Sequence, residues 1–218
     1  MNQIFRPSAN TYFKVIVLSL ALVVASVLWS MAVLDRSNFT RRVNQPLPQP
    51  IAFSHELHAG SLGMNCRYCH SSVDVSSFAN IPPSETCMTC HHEIRTNSPD
   101  VQKIWESYST GVPVEWNKVY DLPDHVYFNH SIHVSKGVGC TTCHGQVNEM
   151  PVVWRVHDLT MGWCLDCHRN PEKYVRPLDQ IYSLEWQPPA NQIEQGLQLV
   201  ETYNINYGEL DHCNICHR

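Results

Sequence analysis

The chain has 218 residues and a formal charge of −5, and it shows no basic patch interleaved with aromatics, which excludes nucleic acid as an expected partner. Ten cysteines and 13 histidines are a heavy load of metal- and cofactor-binding side chains for this length. Fourteen prolines and weak periodicity over most of the sequence argue against long regular elements beyond the first fifty residues.

In chain order, residues 1–14 are short and polar, with Arg6 and Lys14. Residues 15–34 (VIVLSLALVVASVLWSMAVL) contain no charge, proline or glycine. At about 1.5 Å per residue they match a hydrocarbon layer of roughly 30 Å, which predicts one transmembrane helix. The run is too long for the apolar region of a cleaved signal peptide. Arg36, Arg41 and Arg42 balance the cations that precede the helix, so charge alone does not orient it. Residues 35–50 end in QPLPQP, predicted to be an extended, stiff linker holding the following domain off the membrane.

The next stretch introduces the pattern that dominates the rest. Cys66-Arg67-Tyr68-Cys69-His70 recurs as Cys87-Met88-Thr89-Cys90-His91, Cys140-Thr141-Thr142-Cys143-His144, Cys164-Leu165-Asp166-Cys167-His168 and Cys213-Asn214-Ile215-Cys216-His217, and these five copies contain all ten cysteines. Two thiols three residues apart can add to the two vinyl groups of one haem, and the histidine that follows then becomes an axial ligand of its iron. Zinc sites and redox thiols would not require histidine after every pair. The pattern predicts five haem c groups, about one per 44 residues. Their macrocycles would replace an aliphatic interior, and their propionates would make the surface more acidic than composition indicates. The fold class is therefore mainly irregular with short α-helices wrapped around haems, plus one N-terminal transmembrane helix. Because haem c is attached on the outer face of the bacterial inner membrane, the expected arrangement is single-pass, N-terminus cytoplasmic, haem domain periplasmic.

An internal repeat organises the motifs. Phe53-Ser54-His55-Glu56-Leu57-His58 precedes the first two and Phe128-Asn129-His130-Ser131-Ile132-His133 the next two, with offsets of 75 at the histidines, 74 at Cys66 and Cys140, and 77 at Cys87 and Cys164. This near-constant spacing predicts a duplicated two-haem unit, 51–112 and 113–170. A connecting helix is predicted over 101–108, with Ser98 as N-cap, Pro99 in the first turn and Gly111 as its stop. The extension 171–218 begins with Pro171, Pro177, Pro188 and Pro189, and a helix is predicted over 192–201, where Asn191 and Glu194 have capping-box spacing. It carries the fifth motif, which has no Phe-x-His-x-x-His segment of its own.

The far side of each iron needs a second ligand or stays open for a substrate. Eight histidines remain for it, at 55, 58, 92, 125, 130, 133, 157 and 212, with six methionines. His55, His58, His130 and His133 recur in the repeat at i and i+3, a separation that lets one turn serve two haems, and are the expected distal ligands. His92 corresponds to Arg169 and lacks repeat support; His125 and His212 have only proximity. Met161 is the preferred fifth distal ligand, with His157 and Met150 as rivals, and a thioether there would raise the potential of that haem.

The Phe-x-His-x-x-His and Cys-x-x-Cys-His elements resemble those of class III multihaem cytochromes c. More specifically, FSHELHAG, LPDHVYFNHSIHVSKGVGCTTCHG and MGWCLDCHRNPEK resemble the membrane-anchored pentahaem subunit family (ActA) of alternative complex III, over nearly the whole chain. The resemblance implies an electron-transfer subunit of a respiratory quinol oxidoreductase with no catalytic site of its own. Its implied partners are an iron-sulfur protein, polytopic membrane proteins and a monohaem cytochrome c or another periplasmic acceptor. One departure is Tyr120, where the family tends to have His, so no ligand role is carried to it. Two other functions compete. A self-sufficient quinol dehydrogenase of the NapC/NrfH type would set a haem against the membrane, whereas about thirty residues separate Leu34 from Cys66 and the helix offers no proton acceptor. A multihaem reductase would need an open iron and often an altered motif, and all five motifs are regular.

Overall fold

The apolar run that predicts a helix over 15–34 propagates it in both directions in the computed structural model, which describes residues 4–217. Helix α1 runs Ser8–Asp35, and residues 1–3 of the expected polar N-terminus lie outside the described residues. None of its side chains is buried, and it is long and apolar enough to cross a membrane. Just beyond it, Ser37 caps the short helix α2 (Asn38–Arg41) by accepting from the Thr40 amide at 3.3 Å, and Arg41 pairs with Asp35 at 2.8 Å.

Residues through Val43 form one compact unit and Asn44 onward another. The proline-spaced segment 45–50 lies in the second unit and is tied to it rather than standing clear. Gln49 and the Asn117 backbone exchange two hydrogen bonds at 2.9 and 3.0 Å, Asn117 Nδ2 donates to Pro48 O at 2.6 Å, and Pro46 forms an isolated bridge with Trp154. Proline removes backbone donors, so this segment binds through its carbonyls and the Gln49 side chain.

The second unit has short helices and irregular chain, with two isolated bridges and no strand among the described residues. A π-helical turn Glu56–Ser61 is followed by α3 (Cys66–Cys69), α4 (Ser84–His91), α5 (Pro99–Thr110), α6 (His130–Ser135), α7 (Cys140–His144), α8 (Met161–Arg169), α9 (Gln192–Thr202) and α10 (Cys213–Cys216). Helix α5 ends where expected, at Gly111 in the left-handed region (φ 71°), which glycine enters without steric cost. At α9 the helix forms but the capping box does not, since Asn191 makes no side-chain cap bond.

Conventional cores are small, as the sequence leads one to expect. Ile51, Met88 and Ile104 bury together with Cys87, Val114 and Trp116 packed against them, joining α4 to α5. A second contact sets α9 on the 3-10 turn Pro171–Lys173. There Gly196 is essential, because a Cβ would stand 1.9 Å from the Glu172 carbonyl.

Candidate haem-binding centres

Each Cys-x-x-Cys-His motif begins on one helical turn, so its two thiols, at i and i+3, leave the same face and its histidine follows at the turn's end. None of the ten cysteines is joined in a disulfide. Local caps fix two of these turns: Asn65 accepts from Arg67 N at 2.9 Å, and Thr160 accepts from Trp163 N at 3.4 Å.

The motif histidines meet other histidines in pairs. Ring centroids lie 6.2 Å apart for His58 and His91, 6.4 Å for His130 and His144, and 6.1 Å for His133 and His168. Two metal–imidazole bonds of about 2 Å, one on each side of a shared ion, put ring centroids about 6.4 Å apart, so these pairs fit the axial positions of a haem iron. His55 is coupled to His70: burial first, then the charges of His70 and His58, bring His55 down to about 4. For His144, burial followed by His130, His70 and His55 lowers it to about 4 as well. Both are therefore neutral imidazoles with a free lone pair at neutral pH.

Ring orientation is set by the backbone. His70 Nδ1 donates to Asn80 O at 2.6 Å, His91 Nδ1 to Ile94 O at 3.1 Å and His168 Nδ1 to Leu210 O at 2.8 Å. Among the expected distal residues, His58 donates to Ser54 O at 2.8 Å, His130 to Ser77 O at 2.8 Å and His133 to Asn129 O at 2.7 Å. A ring whose Nδ1 proton is engaged presents Nε2 as its lone pair, the second-sphere arrangement typical of metal-bound histidine. The Nδ1 of His55, by contrast, is buried without a partner.

The aromatic residue of each repeat holds its two histidines. Phe53 stands edge-on to His55 (4.9 Å, 87°) and stacks on His58 (4.4 Å, 25°). Phe128 treats His130 (4.8 Å, 88°) and His133 (4.5 Å, 26°) the same way. Tyr120 adds a wall to the third centre, its ring 4.3 Å from that of His144, and burial pushes its phenol up to about 12.

His125 occupies a different position. Its ring lies beside that of His217 at 5.5 Å, and its own carbonyl accepts the His217 Nδ1 proton at 3.0 Å. A residue whose carbonyl sits on the Nδ1 side cannot also present its ring opposite Nε2, so His125 supports the near side of the fifth centre. Of the three candidates for the far side, Met161 is 61% exposed at the start of α8, Met150 is buried, and His157 stacks on Trp163 at 5.0 Å. His92 donates Nδ1 to Met88 O, and His212 occupies the N-cap position of α10 without a side-chain cap bond.

The centres are neighbours in an order that differs from the sequence. Tyr68 and Thr89 share a hydrogen bond of 2.6 Å between the first and second motifs, and Cys69 is raised by burial, then by Cys66 and Cys90. Burial and then Cys66 push Cys140 up to about 11, linking the first motif to the third. Burial followed by Cys167, Cys164 and Cys140 takes Cys143 to about 12, linking third to fourth. Cys164 is raised by burial and then Cys216, and Arg169 pairs with Asp211 at 3.1 Å, linking fourth to fifth. The resulting series is second, first, third, fourth, fifth.

Sequence reasoning missed the contributions that run through backbone carbonyls, at Asn80, Ile94, Leu210 and His125, because every residue carries one. It also missed Tyr120 as a wall. Comparison with known proteins agrees with the chemistry of these centres. A curated relative, "Menaquinone reductase, multiheme cytochrome c subunit" of Nitratidesulfovibrio vulgaris (strain Hildenborough), is 36% identical over 97 residues, 44% of this chain and 45% of the relative. This chain thus aligns with less than half the length of that protein. Residues 126–218 match the family described as "Cytochrome c7 and related cytochrome c".

Proposed function

We propose that the chain is a membrane-anchored pentahaem cytochrome c, an electron-transfer subunit without a catalytic site of its own in a quinol oxidoreductase of the alternative complex III kind. In this reading residues 1–14 are cytoplasmic, 15–34 span the inner membrane, 35–50 connect, 51–112 and 113–170 are two-haem units, and 171–218 carries the fifth haem on the periplasmic side. The divisions at 112 and 170 fall inside the second compact unit. Haem c, when bound, supplies one-electron redox chemistry. The ten motif cysteines attach the haems, and His70, His91, His144, His168 and His217 are the near ligands. His55, His58, His130 and His133 are the far ligands of the first, second, third and fourth centres. Met161 serves the fifth, with His157 and Met150 as rivals. Met161 is supported by its place one turn before Cys164, at the exposed start of α8.

The observation that carries the reading is the facing of imidazoles at three of the neighbouring centres, His58–His91, His130–His144 and His133–His168. Closed axial positions suit passage of electrons, whereas bond-making chemistry needs an open one. Quinol oxidation in partner subunits would release two electrons and two protons. The protons stay with those subunits, and the electrons pass singly along the series to a one-electron periplasmic acceptor such as a monohaem cytochrome c.

The test is reduction of the purified chain, alone and in its complex, with haem number taken from intact mass. Quinol should reduce the five haems only in the complex, and the reduced chain should hand electrons to a cytochrome c. Quinol reduction of the chain alone would install the NapC/NrfH-type reading, and a native high-spin centre that binds nitrite or hydroxylamine the reductase reading. The relative's name favours a second direction, from a periplasmic donor toward quinone. Faster reduction of quinone than oxidation of quinol by the complex would select it.

A further inference from the structure

Arg176 is one of two buried polar or charged residues among the described residues, only 3% exposed, and it belongs to none of the five motifs. Its Nη2 donates to the hydroxyls of Thr141 and Thr142, at 3.0 and 3.1 Å, the two residues between the cysteines of the third motif. The guanidinium lies over the Trp186 ring at 4.1 Å and so close to Gly139 that a Cβ there would stand 2.2 Å from Cζ. Nε and Nη1 are buried without a hydrogen-bond partner, and no carboxylate lies within ion-pair distance of the group among the described residues. Burying an arginine without a counter-charge is costly. The Arg176 guanidinium stands beside the attachment turn of the third motif, whose first cysteine directly follows Gly139.

We propose that Arg176 sets the redox potential of the third centre, its buried charge making that centre easier to reduce than it would be with a neutral residue in its place. A centre that takes up one electron loses one positive charge, so a fixed cation next to it favours the reduced state. In a buried position the interaction is weakly screened. The motifs compare in the expected direction. Arg67 stands between the cysteines of the first motif, but there the cation is exposed and stacked on Tyr182, where water screens it. The third centre is the middle of the series, so its potential governs passage between the two halves. The charge also explains why a planar group is used: guanidinium fits flat between Trp186 and the Gly139 backbone, where an ammonium would demand more hydration.

This inference rests on the third motif holding a haem, and the experiment separates the two. Full-length holoprotein is titrated spectroelectrochemically as wild type, Arg176→Met and Arg176→Lys, with haem number by intact mass and fold by circular dichroism. The component lost in a Cys140→Ala/Cys143→Ala double variant identifies the third centre. Arg176→Met should shift that component alone to lower potential, and Arg176→Lys should hold it near the wild-type value. An intact five-haem Met variant that titrates like wild type would overturn the inference. A Lys variant that shifts as far as the Met variant would overturn it too, by showing that packing and not charge is at work. A double variant that keeps its full haem count would instead sink the assignment of the third motif.

Discussion

The two Phe-x-His-x-x-His segments hold their rings almost identically, although one is a turn of π-helix and the other a turn of α-helix. Phenylalanine-to-histidine distances agree within 0.1 Å and interplanar angles within 1° between Phe53 and Phe128. What the segments share is an aromatic wedge and an Nδ1 bond from the second histidine to the carbonyl four residues earlier, Ser54 or Asn129. The ligand geometry therefore follows from three side chains and one local hydrogen bond, and helix type is free to vary with the neighbours. In the first repeat the neighbour is the 3-10 turn Val147–Glu149, which packs on the π-helix and on Gly60. In the second, the residue at the same offset is Ser135, which is exposed.

If the repeats are equivalent at their irons, His58→Ala and His133→Ala should have the largest and the most similar effects. Each should convert one low-spin centre to a high-spin one that binds carbon monoxide, read by electron paramagnetic resonance and the Soret band. A spectral change in only one of the two would break the equivalence.

The repeats should part company at their helix backs. Gly60→Ala puts a Cβ 2.5 Å from the Asn148 carbonyl, so it should cost about 1–3 kcal/mol by denaturant unfolding. Ser135→Ala should stay within about 0.5 kcal/mol. Replacing the wedge, Phe53→Leu or Phe128→Leu, should remove aromatic contacts of about 0.5–1.5 kcal/mol in either repeat, with equal losses expected.

A small effect also belongs to the residue after the second near ligand, His92 in one repeat and Arg169 in the other. Arg169→His breaks a half-exposed ion pair with Asp211 and should cost under about 1 kcal/mol, less at high salt. A larger loss would mean that this pair holds the last motif in place.

Much of the architecture is legible before any coordinates. Five regular motifs fix where the centres begin, and the i, i+3 histidines of the repeat come to face His91, His144 and His168 because one turn can aim two rings at two centres. The order of the centres is not legible. It depends on hydrogen bonds such as Tyr68 to Thr89 and His130 to Ser77, which join residues 21 and 53 apart. Segment 45–50 reads as a free spacer because proline composition reports stiffness and carries no information about what its carbonyls accept. Arg176 is hidden for another reason, since a lone arginine among prolines reads as a solvated surface residue until its burial is seen.

The facing pairs have a direction. In each of the three pairs His58–His91, His130–His144 and His133–His168, the histidine outside the motif comes earlier in the chain. During synthesis from the N-terminus, a partner ring with its phenylalanine wedge is therefore present before the cysteines of its motif are made. Each centre can close as soon as its attachment turn arrives, without waiting for downstream sequence, and premature contact between successive unfinished motifs is shortened to the time needed to add a few dozen residues.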